Sequence, residues 1–267
     1  MDLVIGTLIG RWYVTLFGAV FLWRASRNLG WRRTWIYLAA SLVIGVAAEN
    51  GAVHTGIPYT TYSFADSLRG DEIFVGSVPL MVPLSYGFMA YFAFAAGRLL
   101  ASGPFRTRGL RPWHELLIAW MLAVWALFIL DPVSRLGHRF YLGEVFAYRG
   151  PGFWFGLPLG SQVGFALTAG LLLLVLQRLD HGAPDVEVPD GLRSHPHLVA
   201  LLTYHGQVFH LVAVAFYLGE DTLAAAGILI WVPAAVITAV HWSTLRLHRE
   251  AQGQGPPARR GRVGARS

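Results

Sequence analysis

The sequence predicts an all-α fold: a polytopic membrane bundle of about seven transmembrane helices, with the N-terminus outside and the C-terminus cytoplasmic. Three observations predict it. The chain of 267 residues is 55% hydrophobic and only 13% charged, where a soluble domain averages about 25% charged. Its apolar residues gather into seven runs, near residues 3–23, 34–52, 74–100, 113–131, 154–176, 197–218 and 222–244, each close to the ~20 residues that cross a bilayer core. Its arginines alternate from loop to loop. Arg24, Arg27, Arg32 and Arg33 follow the first run; Arg98, Arg106, Arg108 and Arg111 follow the third; Arg246, Arg249, Arg259, Arg260, Arg262 and Arg266 follow the last. The positive-inside rule makes those loops cytoplasmic. Residues 1–250 then form one membrane domain in the cell membrane, and the Gly/Pro/Arg-rich residues 251–267 a disordered tail.

Taken in order, the first run is interrupted by Arg11 and lacks the basic start of a signal peptide. The second ends in "VAAENGAVHTGIPYTTYSF", residues 46–64, which sets Glu49, Asn50 and His54 at the edge of an oily segment. Glu49 is in helical register with Ser41 and Gly45, a small-residue face suited to packing or to a cavity. Prolines 79 and 83 in the third run, Pro158 in the fifth and Pro233 in the seventh predict bent spans. The fourth run opens on Glu115, a charge suited to a helix N-terminus, and closes on Asp131 before Pro132. Asp131 is expected to end the span and shares a face with Trp120, about three turns back. The sixth run carries Thr203, Gln207 and His210 as one polar stripe, suited to interhelical hydrogen bonds or to a site lining.

A carboxylate at membrane depth costs roughly 2.5–3.5 kcal/mol on insertion scales, so its default reading is functional. Glu49 and Asp131 fall on the same predicted side of the membrane as two aromatic loops, residues 53–73 and 132–153. Loops of that length are functional or interfacial caps. The second of them is expected to fold over the bundle beside Glu49 and Tyr62.

Several classes are set aside. The chain has no cysteine, so thiolate chemistry and Cys-ligated metals are excluded. Its 21 Lys-plus-Arg residues are all arginine, which removes a retinal Schiff base. No two of its ten histidines stand three or four apart, the spacing of membrane di-iron enzymes. No phosphate- or dinucleotide-binding glycine pattern appears. The net charge of +6 fits topology and lipid headgroups, not nucleic acid. What survives is a site of carboxylates and aromatics without metal or cofactor. Such a site suits carbocation chemistry: a buried neutral acid protonates an alkene, and aromatic faces stabilise the cation.

The stretch "ENGAVHTGIPYTTYSF", followed by "GSVPLMVPLSYGFMAYFA" (76–93), "LDPV" (130–133) and "GFWFGLPLGSQVGF" (152–165), resembles in order the motifs of carotenoid biosynthesis proteins of the CruF type, the carotenoid 1,2-hydratases. In this chain Ser161 stands where that family has Asn, Gln162 where it has Phe, and Phe165 and Tyr86 where it has Trp. The resemblance implies cofactor-free addition of water to the terminal double bond of an acyclic carotenoid. It implies Glu49 or Asp131 as the acid, with the other carboxylate orienting water. Around them the resemblance implies a substrate pocket of Tyr59, Tyr62, Tyr86, Ser161, Gln162 and Phe165, and the placement of Asn50, His54, Trp120, Trp154, Gln207 and His210 along the spans and loops adds them as expected lining. The partners implied are a lipid-soluble isoprenoid or carotenoid and membrane lipids. A membrane terpene or carotenoid cyclase, which quenches the same cation internally, and a non-catalytic isoprenoid carrier remain alternatives. The polyene and the oligomeric state stay open.

Overall fold

The computed structural model describes residues 2–108, 111–149, 152–181 and 191–251. The expected tail beyond residue 251 and most of the 180–196 connector lie outside them. Eight helices are described: α1 (Leu3–Gly10), α2 (Trp12–Leu29), α3 (Trp31–Thr55), α4 (Met81–Ser102), α5 (Pro112–Arg135), α6 (Leu159–Asp180), α7 (Leu198–Tyr217) and α8 (Asp221–Ala251). Six of them, α3 to α8, are long and apolar enough to cross a membrane. The seventh expected span is a broken one: α1 and α2 pass together but are bent by 83°. The fold is the helical bundle that the hydropathy predicts, with the first run cut at Arg11.

Local signals place the helix ends. Pro112 opens α5, where its missing N–H costs nothing, and Gly56 closes α3 in the left-handed conformation. Gly30 alone joins α2 to α3, and the two helices pack on each other, the Phe21 ring 6.0 Å from that of Tyr37. Helix α4 is the hub. It packs against α2, α3, α5, α6 and α7, and its residues Ala90 to Leu100 are buried without a break. A helix apolar on every side belongs in the middle of a bundle. The small-residue face of α3 lies on this hub: a Cβ on Gly45 would stand 2.8 Å from Pro83 Cβ. In lipid, where apolar surface gains little by leaving its solvent, such close backbone approach is what holds helices together.

The bundle has two unlike ends. At the arginine-rich end sit the α2–α3 turn and the described parts of the α4–α5 and α6–α7 connectors. At the loop end, β1 (Tyr62–Phe64) pairs antiparallel with β4 (Phe146–Tyr148), Tyr62 opposite Tyr148 and Phe64 opposite Phe146. A small hairpin of β2 (Phe74–Val75) and β3 (Val78–Pro79) precedes α4. The two aromatic loops thus meet and cap this end.

Three expectations need correction. The third run does not enter as helix at residue 74: the chain first makes the β2–β3 hairpin, which places Pro79 in a strand and Pro83 in the first turn of α4, where a proline is tolerated. Pro158 is the N-cap of α6 and lies outside its span. Pro132 does not end the fourth span: α5 runs on through it to Arg135, so Asp131 lies inside the helix.

Candidate functional site

A cavity of about 330 Å³ opens at the loop-end half of the bundle, at the low end of the roughly 300–1,000 Å³ usual for ligand pockets. Its walls come from α2, α3, α4, α5, α6 and α7, and β1 and β4 with their flanking loops roof it. Most of the lining is apolar or aromatic, with Phe17, Phe64, Phe88, Met89, Phe92, Phe146 and Phe165 among it.

Glu49 and Asp131 line this one cavity from α3 and α5. Each is buried, at 1% and 6% exposure. Neither has an ion-pair partner among the described residues: the arginines that follow Asp131 are used elsewhere, Arg139 on Glu220 and Arg135 against Gly156. Glu49 Oε1 accepts a hydrogen bond from the Tyr86 hydroxyl, while Glu49 Oε2 and Asp131 Oδ2 are buried without any hydrogen-bond partner. Unpartnered oxygens of this kind are rare in folded chains and costly unless something else fills the place beside them.

Of the residues expected around the carboxylates, Tyr62, Tyr86, Phe165, Gln207 and His210 line the cavity. The Tyr86 and Phe165 rings meet edge to face at 5.8 Å. Tyr59 stands directly behind this wall. It stacks on Phe165 at 4.3 Å, and its hydroxyl donates to Thr168 Oγ1 at 3.0 Å. Gly164 permits this, because a Cβ there would meet Tyr59 and the Pro58 carbonyl at 2.4 Å. Burial raises the Tyr59 hydroxyl above its ordinary pKa, so it stays a neutral donor. Ser161 also stands behind the wall, with its Oγ 2.6 Å from the Tyr148 hydroxyl.

Five other expected residues lie away from the cavity. Asn50, next in sequence to Glu49, points around the helix to the β2–β3 hairpin: its Nδ2 donates to Val75 O and its Oδ1 accepts from Ser77 N at 3.0 Å. His54 is exposed and contacts Ser77 Oγ at 3.3 Å. Trp120 is 37% exposed and ties α5 to α6 by donating to Ala166 O at 2.8 Å. Trp154 donates to Phe128 O at 2.8 Å. Gln162 is buried outside the lining, with an unpartnered Nε2.

Sequence reasoning missed the contribution of α2. Arg11 sits at the α1–α2 break, 4% exposed, and lines the cavity. Its Nε donates to Glu72 Oε1 at 2.8 Å and its Nη1 to Leu142 O and to the Tyr13 hydroxyl, each at 3.2 Å. One guanidinium therefore pins both aromatic loops to the elbow. The signal was visible as an arginine inside an apolar run. Tyr148, Tyr141, Phe17 and Met89 carry no such mark.

A family of carotenoid biosynthesis proteins matches this chain over residues 9–239, and the chain belongs to it. No curated protein and no solved structure matches it.

Proposed function

From that membership, we propose that the protein is a carotenoid hydratase of the membrane. The observation that carries this is the pair of unpaired carboxylates, Glu49 and Asp131, facing one aromatic-walled cavity. Asp131, which accepts no hydrogen bond at Oδ2, acts in its acid form and delivers its proton to C2 of the terminal alkene. The π electrons form the C2–H bond and leave a tertiary cation at C1. The ring faces of Tyr86, Phe165 and Tyr62, all on the cavity wall, stabilise that cation in this reading. Glu49, held as a hydrogen-bond acceptor by Tyr86, orients a water and takes its proton as the oxygen bonds to C1. A proton returned to Asp131 closes the cycle. The sum is alkene plus water giving a tertiary alcohol, with no change in redox state and no cofactor.

The arginine-rich end faces the cytoplasm in this reading, since Arg24, Arg27, Arg32, Arg33, Arg98, Arg106, Arg108 and Arg111 cluster there. The cavity then lies in the outer half of the membrane. A second reading, cyclisation of the same cation, is favoured by the scarcity of polar groups on the wall. One experiment decides. The protein is expressed in cells that accumulate lycopene, and the pigments are identified by mass. A product heavier by one water, with its oxygen drawn from labelled water, is expected. An isomer of unchanged mass would establish a cyclase, oxygen drawn from dioxygen a monooxygenase, and unchanged lycopene would remove catalysis on this class of substrate.

A further inference from the structure

We propose that the polyene enters this cavity sideways from the bilayer, through a slit between α2 and α7, and that a Tyr141–His210 contact bars the slit at its loop end. The proposal rests on the reading of the cavity as a polyene end-group site, and it adds the route by which the substrate arrives. Helices α2 and α7 both pack along α4 and have no extended contact with each other. Residues from both nevertheless line the cavity, Leu16 and Phe17 from one side and Gly206 and His210 from the other. These walls are open outward: Trp12 and Leu16 are 56% and 57% exposed, and Gly206 and His210 are exposed too. The opposite walls are closed, with Glu49 at 1% and Phe165 at 7%. A gap between two spans at this depth opens onto acyl chains, not water.

The slit is fastened unequally. At the arginine-rich end, Asn28 of α2 meets His197 Nδ1 at 3.2 Å, and Arg24 donates to the carbonyl of Pro196. At the loop end the tie is made through a third party. The Tyr141 hydroxyl meets His210 Nε2 at 2.9 Å, while its ring packs 6.1 Å from Trp12 and 5.9 Å from Tyr13. Tyr141 is carried by the loop after α5 and is 54% exposed. A single neutral hydrogen bond on a half-exposed side chain is a weak tie, so this bar opens readily. The occupant is a linear apolar chain. Its end group reaches the carboxylates, and the rest of it lies out along α2 and α7 among the lipids, which explains how so small a cavity could serve a long substrate.

The chain has no cysteine, so new ones report cleanly. Leu16→Cys and Gly206→Cys together are joined across the slit by a reducible bifunctional thiol reagent in vesicles. Lycopene dissolved in the same vesicles is the probe, read by quenching of tryptophan fluorescence, a measurement of binding that does not depend on turnover. Quenching should slow at least tenfold on cross-linking and recover on reduction. It should quicken severalfold in the Tyr141→Phe chain. Unchanged quenching after cross-linking overturns the lateral route and leaves the hydratase reading standing. An unchanged rate in Tyr141→Phe overturns the bar. No quenching by the wild-type chain overturns the polyene reading and the route together.

Discussion

Both ends of the bundle bury carboxylates, and to the same degree. At the arginine-rich end Glu115 and Asp180 are 5% and 3% exposed; toward the loop end Glu49 and Asp131 are 1% and 6%. The difference is in their company. Arg98 donates to Glu115 Oε2 at 3.1 Å and also pairs with Asp180, to which Arg108 adds a contact of 3.3 Å. This network ties α4, α5 and α6 together and uses its charges up. Glu49 has one tyrosine hydroxyl, and Asp131 Oδ2 has nothing. Burial alone therefore does not mark a functional acid in this membrane protein. In the function proposed above, burial without a counter-charge, inside a cavity, is what distinguishes Glu49 and Asp131.

The comparison breaks if the two kinds of carboxylate respond alike to neutralisation. Asp131→Asn and Glu49→Gln should each lower turnover by roughly 10²–10⁴, the usual worth of a positioned acid or base, and should leave the melting temperature unchanged or raised. An amide is cheaper to bury than the Glu49 carboxylate and matches the neutral Asp131 acid in shape and polarity. Pigment conversion per folded protein, set beside a thermal melt in detergent, measures both. Normal conversion in either folded variant would take that residue out of the mechanism.

The arginine-rich end should behave in the opposite way. Arg98→Met takes from Glu115 and Asp180 the arginine that they share and should cost about 3–5 kcal/mol of stability. The protein that remains folded should turn over normally, because Arg98 lies outside the cavity. Melting and specific activity together test this. A variant of full stability and low activity would mean that the paired end takes part in the chemistry.

How much of this was legible in the sequence follows the same division. The spans could be read because lipid demands long apolar runs, and Glu49 and Asp131 could be read because a charge in such a run is costly. Neighbours in sequence misled. Asn50 turns about 100° around α3 from Glu49 and braces a hairpin instead. Trp120, placed on Asp131's face by counting turns, ties α5 to α6 outside the cavity. The α2 wall was invisible because Leu16 and Phe17 look like any lipid-facing residues. The elbow at Arg11 needed Glu72, which lies 61 residues away and whose role only the folded chain reveals. Pro132 looked like a stop, yet α5 continues through it, as membrane helices can when neighbours satisfy the freed carbonyl.

The smallest expected effect sharpens the comparison from the loop beside the paired end. His195 is buried just before α7, at 3% exposure. Its Nε2 faces the Arg106 carbonyl, and its Nδ1 accepts the His197 backbone N–H at 3.1 Å. Both bonds fit the neutral ring with its proton on Nε2, and a second proton on Nδ1 would break the latter. Burial first, helped by His241 and Arg98 and opposed by the Arg106 carbonyl, lowers its pKa from 6.5 to about 4. The sign follows from linkage. An unfolded chain takes up this proton below about pH 6.5, and the folded chain resists it until about pH 4. The stabilisation from His195 is thus fully present above pH 6.5 and is lost as the pH falls toward 4. His197, lowered first by burial, adds to the same slope. Melting temperature in detergent should therefore fall through this window, and His195→Gln, which cannot titrate, should flatten the fall without removing it. The same slope in wild type and variant would mean that His195 is protonated in the folded protein and that the paired end holds its charges under looser control than its geometry implies.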